Sequence, residues 1–451
     1  MNNIKVTHSI IKIVGLLGDY PTKKRKVFQH DLLKSGFKED GGTKDSNKFI
    51  KDLFYSDFRS LMFIKYDDKY DEKLLSRRFY INNSKKISFV KRGRDLKIID
   101  KYAVEINKAE IFLFGDQIGL FSLSININET DRTVAFISDV INQCRNFDSE
   151  TDLDLTDLQK GTKWHEWLSK NYLCGTELRH ETKKIKADDY SGSKFKVFSV
   201  IDCDISEEER NSLLFDLGTS SPLNSSKGEG NYAPHADYFN KVMKNRISIF
   251  KNWESLCLFD SFTTLGNGIL SEPWQKQTWA DTYFRIYLFR LFFKYNLYRY
   301  NSELHDNTIK LRNDFEKFLN NYKLSHISFN FLPNEMFNKI GEALHLDEEL
   351  NTFQNRINRI SAAIQEEKQS RTNSLLQFVS LLGGLGSVKP VFDGLSIAKK
   401  YLGWTDAVFF TILVMILLAI GIGLFAFLMP EVLKKIKRKF IDNKVDSKKN
   451  A

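Results

Sequence analysis

Residues 408–429, VFFTILVMILLAIGIGLFAFLM, carry no charge. A helix needs about 20 apolar residues to cross a hydrocarbon core about 30 Å thick. This run therefore predicts a membrane span. The chain then reads as an integral membrane protein, with a large N-terminal part joined to an anchor that begins near residue 375.

A second apolar segment precedes it. Residues 375–392, LLQFVSLLGGLGSVKPVF, are weakened as a span by Gln377, Lys389 and Pro390. Topology decides how to read them. The tail after Met429 carries Lys434, Lys435, Lys437, Arg438 and Lys439, which places it on the cytoplasmic side. One span would leave the N-terminal part outside, against its free thiols and the lack of a signal peptide. Two spans put both termini in the cytoplasm, although Lys389, Lys399 and Lys400 in the connecting loop count against this. The expected location is the inner membrane, multi-pass. Ser374, Ser380, Gly383, Gly384, Gly386 and Ser387 crowd the first segment, which suits close helix packing or a narrow pore.

A heptad leads into this anchor. Leu346, Leu350, Phe353, Ile357, Ile360 and Ile364 follow at spacings of 4, 3, 4, 3 and 4, an a/d seam that predicts oligomerisation. No Pro or Gly interrupts residues 342–382, so one helix of roughly 40 residues, about 60 Å long, is expected. The register continues through Glu367, Arg371 and Ser374 to Phe378, Leu381, Leu385 and Val388. Either the coil ends at Ile364, or the seam opens around water and lines a pore with Arg371, Ser374, Phe378, Leu381, Leu385 and Val388.

The N-terminal part reads as mixed α/β. Strand-like runs lie at 61–66, 86–90 and 96–104, and residues 110–127 (EIFLFGDQIGLFSLSINI) predict a hairpin turning at Gly115-Asp116-Gln117. Residues 133–147 have helical spacing, and 247–265 read as two strands. Residues 148–158 are acidic, a solvated loop or a divalent-cation site. Residues 218–235 are rich in Gly, Ser and Asn, a disordered loop or a pocket cover. Residues 279–304, WADTYFRIYLFRLFFKYNLYRYNSEL, predict a buried helix, because Arg285, Arg290, Lys294 and Arg299 recur too often for a span.

The expected fold is thus an α+β cytosolic domain (1–278), a helical layer and long stalk helix (279–374), two transmembrane helices (375–430) and a basic tail (431–451). Cys144, Cys174, Cys203 and Cys257 form no CxxC pair, so no structural zinc site is indicated. HExxH, GxSxG and the kinase motifs are absent. The chain is read as a non-enzyme with no catalytic or metal residues and no direct nucleic-acid contact. The net charge of +10 suits an anionic ligand, whose binding residues are not indicated.

An aromatic helical segment, a long helix running into a first span, a short loop, a second span and the KKIKRK tail together resemble the CorA divalent-cation channel family over about residues 280–440. The resemblance implies a funnel-shaped homo-oligomer, usually a pentamer, with the first span lining a pore. The family's Gly-Met-Asn filter is missing; residues 386–390 read GSVKP, and Lys389 would repel divalent cations. The sequence is also similar to divergent CorA-like proteins found beside prokaryotic antiviral systems, including type III CRISPR loci. That similarity implies a membrane effector gated from its cytosolic domain by a nucleotide-type second messenger. The alternatives are a membrane-tethered coiled-coil signalling module without a pore and a plain divalent-cation transporter.

Overall fold

The computed structural model describes residues 4–17, 25–40, 46–63, 76–93, 95, 97–114, 118–151, 161–173, 194–303, 308–386, 388–403, 405–412 and 414–415. Its strands are β1 (Val6–Leu16), β2 (Lys38–Glu39), β3 (Ser76–Ile81), β4 (Lys85–Arg92), β5 (Ile98–Phe114), β6 (Ile118–Asn126), β7 (Glu150–Thr151), β8 (Thr162–Lys163), β9 (Lys196–Cys203), β10 (Arg246–Phe250), β11 (Trp253–Cys257) and β12 (Ser261–Gly266). Its α-helices are α1 (Arg25–Lys34), α2 (Ser46–Leu53), α3 (Ser56–Met62), α4 (Val134–Arg145), α5 (Trp164–Tyr172), α6 (Glu207–Thr219), α7 (Ala236–Met243), α8 (Pro273–Gln277), α9 (Phe284–Ser302), α10 (Thr308–Tyr322), α11 (Phe331–Ala343), α12 (Leu346–Gly386) and α13 (Val388–Leu402). The chain divides into two compact units, Met1–Ser361 and Ala362–Ala451.

The first unit is built on one sheet in the order β10-β11-β12-β9-β1-β6-β5-β4-β7-β8, with β3 also on β5 and β2 on β3. Among the described strands only the β9–β12 pair is parallel. Strand alternation divides the sheet's side chains between two cores. Ile11, Ile13, Ile111 and Leu113 join a core that includes residues of α1, α4, α5 and α6. Val14, Leu16, Phe112 and Phe114 join the other, which includes residues of α3, α9, α10 and α11. The C-terminal stretches of β1 and β5 are therefore buried on both faces, and their apolar runs follow.

Local sequence explains most boundaries. Thr133 caps α4 by accepting from the Phe136 amide at 3.2 Å, and Ser206 caps α6 by accepting from Glu209 at 3.3 Å. The expected hairpin is β5–β6, paired up to Phe114↔Ile118; its turn lies outside the described residues. The acidic run lies largely outside them too. The run 61–66 is not a strand as far as it is described. Leu61 and Met62 end α3, because Phe58, Leu61 and Met62 form its buried face. Residues 247–265 hold parts of three strands, not two.

The C-terminal expectation is corrected. Among the described residues no helix is long and apolar enough to cross a membrane. Over 375–392, α12 is described to Gly386 and α13 from Val388, with Lys389, Pro390 and Asp393 in the latter; residue 387 lies outside the described ones. Of 408–429 only 408–412, 414 and 415 are described; the rest lies outside. The two transmembrane helices, the multi-pass inner-membrane location and the channel funnel built on them are therefore withdrawn.

The long helix is present, with 41 residues. Its first seam positions, Leu346, Leu350, Phe353 and Ile357, are buried in the first unit's own core, with Ile360 partly covered there. The Phe353 ring lies 4.5 Å from Phe315 and 6.1 Å from Tyr300. Phe353→Ala should cost about 3–5 kcal/mol, whereas Arg371→Ala, on an exposed turn of the same helix, should cost little. Urea unfolding of the full chain, followed by tryptophan emission, distinguishes the two.

Candidate functional site

On the α9 face of the sheet the apolar row is broken by charge. Lys12 in β1, Arg78 in β3, and Lys108 and Glu110 in β5 occupy that face by strand alternation. β6 places Ser122 and Ser124 between β5 and β1, small enough for Lys12 and Glu110 to meet. Glu110, 1% exposed, accepts from Lys12 Nζ at 2.8 Å, pairs with Lys108 at 3.1 Å and is bonded by the Arg78 guanidinium. Arg78 also pairs with Asp40 at 2.8 Å and Asp281 at 3.2 Å. Arg285 pairs with Asp281 at 3.1 Å and Asp40 at 3.7 Å, and donates to the Met62 carbonyl.

Aromatic faces hold the cations in place. Lys12 Nζ lies 4.1 Å from the Phe284 ring centre, Arg285 lies 4.6 Å over Phe63, and Arg78 lies 5.7 Å over Phe112. Burial by itself would push the Glu110 carboxyl up; Lys12 and Arg78 overcome it and hold the group well below the carboxylate range. Asp281 follows the same balance: burial raises it, and Arg285 and Arg78 bring it below its ordinary value. Burial pushes the Lys12 ammonium down, and Glu110 opposes that.

Beside this cluster opens a cavity of about 1130 Å³. Lys12, Arg78, Arg285, Asp40, Asp281 and Lys108 line it; the first three are nearly covered, whereas Asp40, Asp281 and Lys108 are partly exposed. Four cations face three carboxylates, so one positive charge is in excess. Asn82, Asn107 and Asn126 also line it. Asn107 is the extra residue where β5 slips register against β6 between Ile106 and Lys108, and such bulges re-aim side chains beside sites. Trp274, 64% exposed, and Phe49 stand among the lining residues.

No His or Cys lines the cavity among the described residues, and no metal-ligating cluster occurs among them. The arrangement gathers charged, amide and aromatic residues around one cavity.

The residues expected from the heptad register lie elsewhere. Leu346, Leu350, Phe353 and Ile357 are core, and Ile360 and Ile364 are half-buried on α12. Arg371 is exposed and paired with Glu367 at 2.8 Å; Ser374 is half-buried. Phe378, Leu381 and Leu385 belong to α12 and Val388 starts α13; their side chains lie outside the described ones. Residues 218–235 hold a short 3₁₀ turn, Ser225–Lys227, tied to Asp216 by the Ser225 hydroxyl at 2.8 Å, and do not line the cavity. The buried charge cluster had a visible signal: Lys12 stands alone in SIIKIVG and Glu110 in AEIFLF, charges inside apolar strands.

No family model, curated protein or solved structure matches this chain.

The cluster's internal pairing generates a test. Glu110→Gln leaves Lys12 and Arg78 without their shared anion and should cost about 3–5 kcal/mol at pH 7. Because the folded-state carboxyl lies below its unfolded value near about 4.3, the unfolded chain takes up this proton first. Glu110's contribution is full above that value and falls away as pH drops below it. The gap between wild type and Glu110→Gln, measured by thermal unfolding, should therefore narrow only in that acid range.

Proposed function

We propose that this chain is a ligand-binding signalling protein that works without a pore, and that its ligand is a small anion of the nucleotide class. The observation that carries the reading is the convergence of Lys12, Arg78, Lys108 and Arg285 on one cavity of about 1130 Å³. Ligand sites run to roughly 300–1,000 Å³, so there is room for a nucleotide. The excess positive charge favours an anion over a divalent cation. Trp274 and Phe49 offer faces for a base to stack on, and three asparagines offer donors and acceptors for its edge.

A physical route leads from the cavity to the long helix. Arg285, at the cavity, begins α9. Further along α9, Arg290 donates to the Phe337 carbonyl of α11 at 2.9 Å. Lys294 donates to the Leu344 carbonyl at 2.6 Å and pairs with Glu349 on the first turns of α12. A ligand that shifts α9 therefore acts on the root of α12, the signalling element in this reading.

Calorimetric titration of the full chain with a panel of cyclic and adenylated nucleotides at low salt tests it. Binding should weaken as salt rises. Lys108→Gln should weaken it about tenfold, one charge-assisted contact's worth, with little change in melting temperature, because Glu110 keeps Lys12 and Arg78. Absence of binding across the panel at low salt overturns the reading.

A further inference from the structure

Asp281 belongs to a stretch of π-helix, Thr278–Tyr283, set between α8 and α9. A π turn holds one residue more than an α turn, is rare, and needs outside support to persist. Part of that support is visible. Trp279 and Thr282 are buried, and the Trp279 ring meets Trp253 edge-on at 5.3 Å. The rest is ionic: Asp281 reaches Arg285 within its own helix and Arg78 across on β3.

Asp281 and Asp40 also differ from Glu110 in position. Their side chains are 29% and 28% exposed, whereas the arginines they hold are nearly covered. The two carboxylates line the cavity together with the arginines they hold. Both guanidiniums are already bonded, to Asp40, Asp281, Glu110 and the Met62 carbonyl, so an anion that binds them competes with the two partly exposed carboxylates, since three anions around two guanidiniums repel. Of the two, Asp281 is the one whose pairing holds an irregular backbone.

We infer that the deep end of the cavity is a phosphate subsite in which the ligand's phosphate takes the contacts of Asp281 with Arg78 and Arg285, and that this release lets the π turn give up its extra residue. This deepens the proposed anion-binding role and rests on it. A phosphate dianion offers more acceptor oxygens to the two planar guanidiniums than a carboxylate does. An α-helix turns about 100° per residue, so loss of one residue rotates α8 relative to α9. α8 carries Trp274, at the cavity, so the same step re-aims the exposed ring beside the bound ligand.

Inorganic pyrophosphate is the probe, with the full chain. Calorimetry should show Asp281→Asn binding it at least tenfold more tightly than wild type. In wild type, pyrophosphate should change amide exchange across residues 278–284 and shift tryptophan emission; ligand-free Asp281→Asn should already show part of that shift. If Asp281→Asn does not fold, the wild-type exchange measurement decides. Pyrophosphate binding that Lys108→Gln weakens but that leaves exchange at 278–284 unchanged overturns the displacement and keeps the cavity as an anion site. No pyrophosphate binding by folded wild type overturns the phosphate subsite; the anion-binding reading itself falls only if the nucleotides fail as well.

Discussion

A carboxylate with almost no access to water sits between an ammonium from β1, a guanidinium from β3 and an ammonium from its own strand, β5. Charges that deep persist only when each is paired and bonded, because the cost of leaving water exceeds what any single contact returns. Glu110 therefore constrains the sheet. It fixes the separation of β1 and β5 across β6, holds Arg78 facing α9, and leaves Arg78 free to bind Asp40 and Asp281. The cavity exists because this part of the sheet face is filled with ions instead of rings. Replacing the set by hydrophobic residues would give a closed core and no site.

The β5–β6 hairpin and α4 were legible because their signals are local, whereas residues 61–66 read as a strand and in part end a helix. The β5–β6 pair showed as two apolar runs around a turn, and α4 as apolar residues at helical spacing behind a capping threonine. The aromatic helix α9 read correctly as buried, since its arginines and lysine find partners inside the protein. Lys12 and Glu110 were visible too, but a lone charge in an apolar strand looks the same whether it faces water or a buried partner. They lie 98 residues apart, and only the register of β1, β6 and β5 brings them together. The asparagine at the bulge had no sequence signal, because a register slip belongs to the pair of strands.

The heptad shows the opposite case, a strong pattern with more than one solution. Apolar residues at spacings of three and four require a partner surface and do not say whose. Here Phe353 finds Phe315 and Tyr300 of the same chain. Hydropathy likewise favours a span over 375–392 when averaged, yet the run holds Gln377, Lys389 and Pro390, and none of the described helices is long and apolar enough to cross a membrane. An average over a window does not register where within it the charges fall.

β1 lies in the interior of the sheet, with β6 on one side and β9 on the other. Its Ile11 pairs with Ile125 and with Ser199, so one neighbour comes more than a hundred residues later and the other nearly two hundred. A ribosome makes this strand well before either partner. For that interval the run SIIKIVG has two open edges and no place to bury its side chains. High sequence separation also slows closure of the sheet once synthesis ends. Lys12 then suits a second role, as a gatekeeper charge within an apolar stretch of the nascent chain. The ion that serves the finished fold also guards the unfinished one.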